Sequence, residues 1–146
     1  MSGIKGTWYV WDKREDTDKG DTFDNMLGSP FELCWSNKKH GKKFIRMRWA
    51  SFLHSDATEG EKSTNRVHPT QKPIALASWF YKRFSKENDI IVDIYGGSGS
   101  FLIACEQTNR ICFMAEIDEH YCDVIRKRYA KFINKEDQWE MISPKV

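Results

Sequence analysis

Two features of the sequence have the residue types and spacing to do chemistry. The first is the run Asp93-Ile94-Tyr95-Gly96-Gly97-Ser98-Gly99-Ser100-Phe101. Glycines set between an apolar strand and a helix let a ligand approach the backbone closely, and the start of the helix offers unpaired N–H groups. The second is Glu116, about twenty residues further on at the end of the next apolar run, where an acid can accept hydrogen bonds from ribose hydroxyls. Phosphate-specific devices are absent. A P-loop ends in Gly-Lys-Ser/Thr, and the only Gly-Lys is Gly41-Lys42, in the wrong context. The dinucleotide fingerprint G-x-G-x-x-G fails at its third glycine, because Leu102 stands there. The spacing therefore suits an adenosine-type ligand held without a pyrophosphate cradle. The competing structural explanation is a tight turn followed by a solvated glutamate.

The elements that must position these residues follow from pattern. Ile90 to Tyr95 and Ile111 to Glu116 are near-continuous apolar runs of the kind that buried parallel strands show. Phe101 to Gln107 reads as the helix between them. Pro73 suits a helix start, with Leu76, Phe80 and Phe84 on one face and Trp79 also expected in the core. Tyr121, Ile125, Tyr129 and Phe132 mark a last helix, and Trp139 to Ile142 a short terminal strand. Strand and helix alternate, which argues α/β with a parallel sheet. The first fifty residues differ. Thr7 to Trp11, Phe31 to Ser36 and Phe44 to Trp49 are strand-like, and the simplest pairing is an antiparallel hairpin of the latter two through residues 37–43. Asp12 to Asn25 and residues 51–67 read as polar loops.

Composition narrows the class. The 146 residues, 40% hydrophobic and 30% charged, are about one domain and too apolar for disorder. No apolar run is long enough for a membrane span, and Met1 to Lys5 resembles no secretory leader. Cys34, Cys105, Cys112 and Cys122 form no C-x-x-C pair and read as reduced residues of a cytoplasmic protein; Cys105, Cys112 and Cys122 read as packing residues, with no metal site. The net charge of +2 neither requires nor excludes nucleic acid. Lys38, Lys39, Lys42, Lys43, Arg46 and Arg48 form a basic stretch without acids. Such runs are usually solvated faces, yet on a hairpin they could meet DNA phosphates.

Upstream of the glycine turn stands Asn65-Arg66, then His68-Pro69-Thr70-Gln71-Lys72-Pro73. This block, the glycine turn, and Glu116-Ile117-Asp118 with Tyr121-Cys122 closely resemble the amino-methylating DNA methyltransferases, which modify N6 of adenine or N4 of cytosine. The block precedes the glycine motif, as in the permuted (β-type) order. The resemblance is strong over residues 65–132 and weaker over 7–49, where two strands look like those that follow the family's catalytic motif. It implies a partial S-adenosylmethionine-dependent methyltransferase (Rossmann-like) fold: α/β, with a mixed sheet and an antiparallel strand pair. Residues 1–146 would be a single partial domain: a strand-rich segment to 50, a surface or recognition loop over 51–67, and a cofactor-binding segment over 68–146.

Carried over by position, the resemblance implies S-adenosyl-L-methionine as cofactor and a role for each residue. Asp93 would orient the methionine amino end, and Gly97, Ser98, Gly99 and Ser100 would line the methionine part. Glu116 would hold the ribose, Ile117 would lie against the adenine, and His68 and Thr70 would close over the methionine moiety. Two positions depart from the family pattern: Ile94-Tyr95 replaces a Pro-Phe-like pair, and Ser100 stands where threonine is common.

The family holds its flipped target base with an Asp/Asn/Ser-Pro-Pro-aromatic motif. The prolines here are Pro30, Pro69, Pro73 and Pro144, none adjacent, and Ser29-Pro30-Phe31 is one proline short. No catalytic residue is therefore assigned. The strand bearing that motif lies beside Ile90 to Tyr95 in the family, so its absence would leave unpaired backbone at that edge. The expected partners are DNA and a complementing segment or subunit, or a second copy of the chain. The competing reading is a non-catalytic DNA- or protein-binding subunit.

Overall fold

The computed structural model describes residues 6–13, 29–41, 43–47 and 71–141, which fall into two compact units divided after Ala50. In the first unit, β1 (Thr7–Asp12) lies between β2 (Phe31–Ser36) and β3 (Lys43–Arg46). It runs antiparallel to β2, with Trp8 opposite Trp35, and parallel to β3, with Trp11 opposite Ile45. The expected β2–β3 hairpin is therefore not formed. The linker instead crosses the end of β1, where the His40 N–H donates to Thr7 Oγ1 at 3.2 Å and the His40 ring lies 4.2 Å from that of Tyr9. Central placement suits β1, the richest of the three in aromatic and β-branched side chains. One face of this sheet buries Tyr9, Trp11 and Ile45, while Trp8, Leu33, Trp35 and Phe44 stand exposed on the other. Asp12 is buried and pairs with Arg46, Oδ2 to Nε 3.7 Å.

The second unit runs α1 (Ile74–Phe84), β4 (Ile90–Asp93), α2 (Ser100–Gln107), β5 (Ile111–Met114), α3 (Glu119–Phe132) and a 3-10 turn (Glu136–Met141). Strands β4 and β5 are parallel, Ile90 opposite Ile111 and Val92 opposite Phe113. The strand–helix–strand order read from periodicity is thus present, with Pro73 immediately before α1. The core joins Ile74, Ala77 and Tyr81 of α1 to Ile103, Ala104 and Cys105 of α2, with Ile91, Cys112 and Phe132 packed against it. Arg110 ties the layers together. Its guanidinium donates to the Ser85 carbonyl at 2.9 Å and to the Tyr81 carbonyl at 3.4 Å, satisfying the last carbonyls of α1. The Tyr81 hydroxyl donates to the Phe101 carbonyl at 3.5 Å in this core, and burial pushes its phenol well above its ordinary range.

Three expectations are corrected. Helix α1 buries the Ile74, Ala77 and Tyr81 face as well as Leu76, whereas Phe84 is exposed and Trp79 and Phe80 are half-buried. Its packing partner is the small-residue face of α2, which accepts a close helix and not a row of phenylalanines. Strand β4 ends at Asp93 and β5 at Met114, and each is half-buried on one face and exposed on the other. Glu136 to Met141 is a 3-10 turn instead of a strand, with Trp139 under Lys127 Nζ at 4.3 Å. Ile142 and the loops at 14–28 and 51–67 lie outside the described residues.

Ile103 is 1% exposed at the centre of the core. Ile103→Ala is expected to cost about 2–5 kcal/mol, read as a lower urea midpoint by far-ultraviolet circular dichroism. The Tyr129 hydroxyl donates to Glu106 at 2.9 Å between α3 and α2. Burial and this bond push its phenol up to about 12. A raised acid of this kind stabilises the fold fully below its unfolded value, about 10, and loses that contribution as pH rises toward 12. Tyr129→Phe should flatten the alkaline limb of the stability profile over that window.

Candidate functional site

The chain leaves β4 through Asp93, whose Oδ1 accepts the Tyr95 N–H at 3.0 Å and bends the backbone into the glycine turn. Gly96 donates to the Ala115 carbonyl at 2.9 Å, which lays the turn against the end of β5. A Cβ on Gly96 would sit 2.8 Å from Met114 Sδ and 3.0 Å from Ile125 Cδ1, so a side chain here would have to push those two aside. Gly97 and Gly99 have φ of +54° and +77°, in the left-handed region that side chains disfavour. Gly99 caps α2, and its position against Ile125 of α3 leaves no room for a methyl group without movement.

Glu116 closes the site from the opposite strand. Its Oε2 accepts the Gly97 N–H at 2.6 Å and its Oε1 accepts the Asp118 N–H at 3.0 Å. The same turn brings Asp118 to cap α3, accepting from the His120 N–H at 2.8 Å. Ser98 and Ser100 are buried, their hydroxyl oxygens 3.2 Å apart. Arg128 of α3 donates to the Ser98 carbonyl and to Ser100 Oγ, bracing the turn from behind.

Together these walls enclose a cleft of about 550 Å³, within the range of small-molecule sites. Of the residues singled out from the sequence, Asp93, Gly97, Ser98, Ser100 and Glu116 line it. Gly99 shapes the turn without lining the cleft. Ile117 does not join it: the reversal between Glu116 and Asp118 leaves its side chain 100% exposed. His68 and Thr70 lie outside the described residues. Gln71, buried, and Lys72 follow them directly and do line the cleft, as do Tyr95 and Phe101. All four belong to the two motifs recognised in the sequence, but nothing in their spacing marks which side chains turn inward.

The basic residues are dispersed. Lys38 and Lys39 follow β2, Lys43 opens β3 at the opposite edge of the sheet, and Arg46 is engaged by Asp12. They do not form the two arms of a hairpin, and Lys42 and Arg48 are outside the described residues. No group of three or more metal-ligating side chains occurs among the described residues. The cleft thus offers one carboxylate for hydroxyls, a second at the strand end, backbone amides and buried hydroxyls. That is a set for binding a polar, adenosine-sized ligand.

The Glu116 contacts can be tested without a ligand. Glu116→Ala is expected to speed amide exchange of Gly97 and Asp118 by about ten- to a hundredfold, the value of a hydrogen bond to a charged group. Unchanged protection in exchange measured by nuclear magnetic resonance would contradict the geometry.

Residues 5–127 match the family model described as DNA methylase, N6_N4_Mtase. The type II methyltransferase M.HpaI of Haemophilus parainfluenzae is 35% identical over 63 residues, which are 43% of this chain and 20% of that protein. Among solved structures, the M1.HpyAVI–SAM complex matches with a TM-score of 0.57 at 23% identity, over 84% of this chain and 60% of its own. The cytosine-N4-specific PvuII DNA methyltransferase matches with a TM-score of 0.59 at 14% identity, over 91% of this chain and 56% of its own. The chain therefore spans a fifth of the length of that relative and somewhat over half of these structures. No described helix is long and apolar enough to cross a membrane. With the family model matched along most of its length, and with the methyltransferase fold of those structures, the chain belongs to the amino-methylating (N6/N4) DNA methylase family.

Proposed function

We propose that residues 1–146 are the S-adenosylmethionine-binding part of a DNA amino-methyltransferase acting on N6 of adenine or N4 of cytosine. The observation that carries this reading is the meeting of Glu116 with the glycine turn, Oε2 to Gly97 N 2.6 Å, at the mouth of a cleft of cofactor size. The family supports the choice of ligand, and the M1.HpyAVI structure was solved with that molecule.

The chain's residues fit the group. The turn brings backbone to the cleft wall without side chains, where the methionine portion would lie along Gly97, Ser98 and Ser100. Asp93 would hold its amino end, and Glu116 would accept from the ribose hydroxyls. The bound cofactor would supply a methyl on a sulfonium, ready for in-line displacement by an exocyclic amine. His68 and Thr70 remain proposed to close over the methionine portion, and Ile117, fully exposed next to Glu116, to lie against the adenine.

Methyl transfer also needs acceptors for the target amine, and a sequence with no adjacent prolines contains no Pro-Pro-aromatic motif. We therefore assign that motif to a complementing segment, in the same polypeptide or in a separate one, with DNA as the shared substrate. Residues 1–146 then form one partial domain. The missing motif also favours a second reading, a non-catalytic subunit that binds DNA through Lys38, Lys39, Lys42, Lys43 and Arg46.

Calorimetric titration with S-adenosylmethionine separates the two. Binding is expected, weakened by about 1–3 kcal/mol in Asp93→Ala or Glu116→Ala. A folded sample that takes up no cofactor, yet binds DNA with a salt dependence indifferent to those changes, would favour the second reading. Methylation of DNA by the purified chain alone would overturn the division of labour.

A further inference from the structure

Arg128 of α3 lies behind the glycine turn and is not among the residues that line the cleft. Its Nη1 donates forward to the Ser98 carbonyl and, at 3.4 Å, to Ser100 Oγ. Ser98 and Ser100 do line the cleft; each is 4% exposed, and their hydroxyl oxygens stand 3.2 Å apart. A cation on one side, two buried hydroxyls and the cleft wall on the other therefore form a chain. The helix that carries the cation is held close to the turn, since a Cβ on Gly99 would stand 3.1 Å from Ile125 Cγ2. Arg128 follows about one turn further along that helix.

Donor counting gives the chain a direction. A guanidinium carries donors only, so Ser100 Oγ accepts from it. Two hydroxyls hold two hydrogens, and the bond between them uses one. The other cannot return to Arg128, which has no lone pair to offer, and is left for an occupant of the cleft. The pair thus presents a donor to the cleft, with a full positive charge one hydroxyl further back. Bonds assisted by a charge are roughly twice as strong as neutral ones, and linked donors polarise one another in the same sense. This part of the wall suits an anion. Asp93 lines the same cleft and supplies a carboxylate, which suits a cation. The two signs match an amino-acid group, which carries a carboxylate and an ammonium on one carbon.

We infer that Arg128 is a positioning residue for the carboxylate of the cofactor's methionine portion, acting through the Ser98–Ser100 hydroxyl pair without touching the ligand; this rests on the S-adenosylmethionine reading. It adds to that reading a dependence on a side chain of α3 that lies outside both the glycine turn and the acid after it.

Calorimetric titration of the chain with S-adenosylmethionine and with its decarboxylated form is the test, because the second ligand keeps the adenosine, sulfonium and amine and lacks only the carboxylate. Arg128→Gln is neutral and can accept as well as donate. It should weaken uptake of S-adenosylmethionine about tenfold or more, the worth of a hydrogen bond to a charged group, and leave uptake of the decarboxylated form unchanged. Arg128→Lys keeps a cation with donors only and should restore most of the lost affinity. Ser100→Ala removes the hydroxyl that receives the arginine and should show the same selective loss; it decides the matter if circular dichroism finds Arg128→Gln unfolded. Equal weakening of both ligands, no weakening of either, or a lysine variant no better than the glutamine variant would overturn the inference. A folded, unsubstituted chain that takes up neither ligand would instead overturn the cofactor reading, and the role of Arg128 with it.

Discussion

The contact between Glu116 and Gly97 is the constraint on which the second unit turns. A carboxylate at the end of β5 reaches across to a backbone amide in the turn after β4, closing a loop of nineteen residues at 2.6 Å. The link joins the two strand ends where a ligand would enter, and it does so with a group able to accept hydroxyl hydrogens. The amide is available to the carboxylate because β4 ends at Asp93 and Gly97 lies in the turn beyond the ladder. The carboxylate is available because the Asp118 N–H holds its other oxygen in place. Gly96 allows the approach by having no side chain to strike Met114 or Ile125.

Everything behind that contact serves to hold the turn. The core of α1 and α2 supports the strands from one side, and α3 presses Ile125 and Arg128 against the glycines. Since all this packing lies on a single side of β4 and β5, the site is well braced from below while the opposite sheet face stays bare. The same packing leaves Ile90, Val92, Ile111 and Phe113 exposed on the opposite face of the strands.

Much of this was legible in the residues. Asp93, the glycine run and Glu116 are marked by local chemistry: a strand must end, a backbone must turn with positive φ, and an acid must follow the next strand. Pro73 at the start of α1 is equally local. Less legible were the side chains that complete the walls. Gln71 and Tyr95 sit within recognised motifs, yet their direction depends on how the chain enters α1 and leaves β4. On α1 the burial of Leu76 is legible, but Phe80 and Phe84 extend the same apolar stripe without being buried, and the close approach of α2 selects Ile74, Ala77 and Tyr81.

The sequence by itself determined the family, the order of strand and helix, and the chemistry of the cleft, because those depend on residue type and short spacing. It also determined that a Pro-Pro-aromatic motif is not among these residues. Tertiary structure alone decided that β1 separates β2 from β3, that Ile117 stands fully exposed and outside the cleft lining, and that Ile90, Val92, Ile111 and Phe113 are exposed on the β4–β5 face opposite the helices. Strand neighbours and buried faces are settled by competition among distant segments for the same apolar surface. Period and propensity along one segment carry no record of which competitor wins.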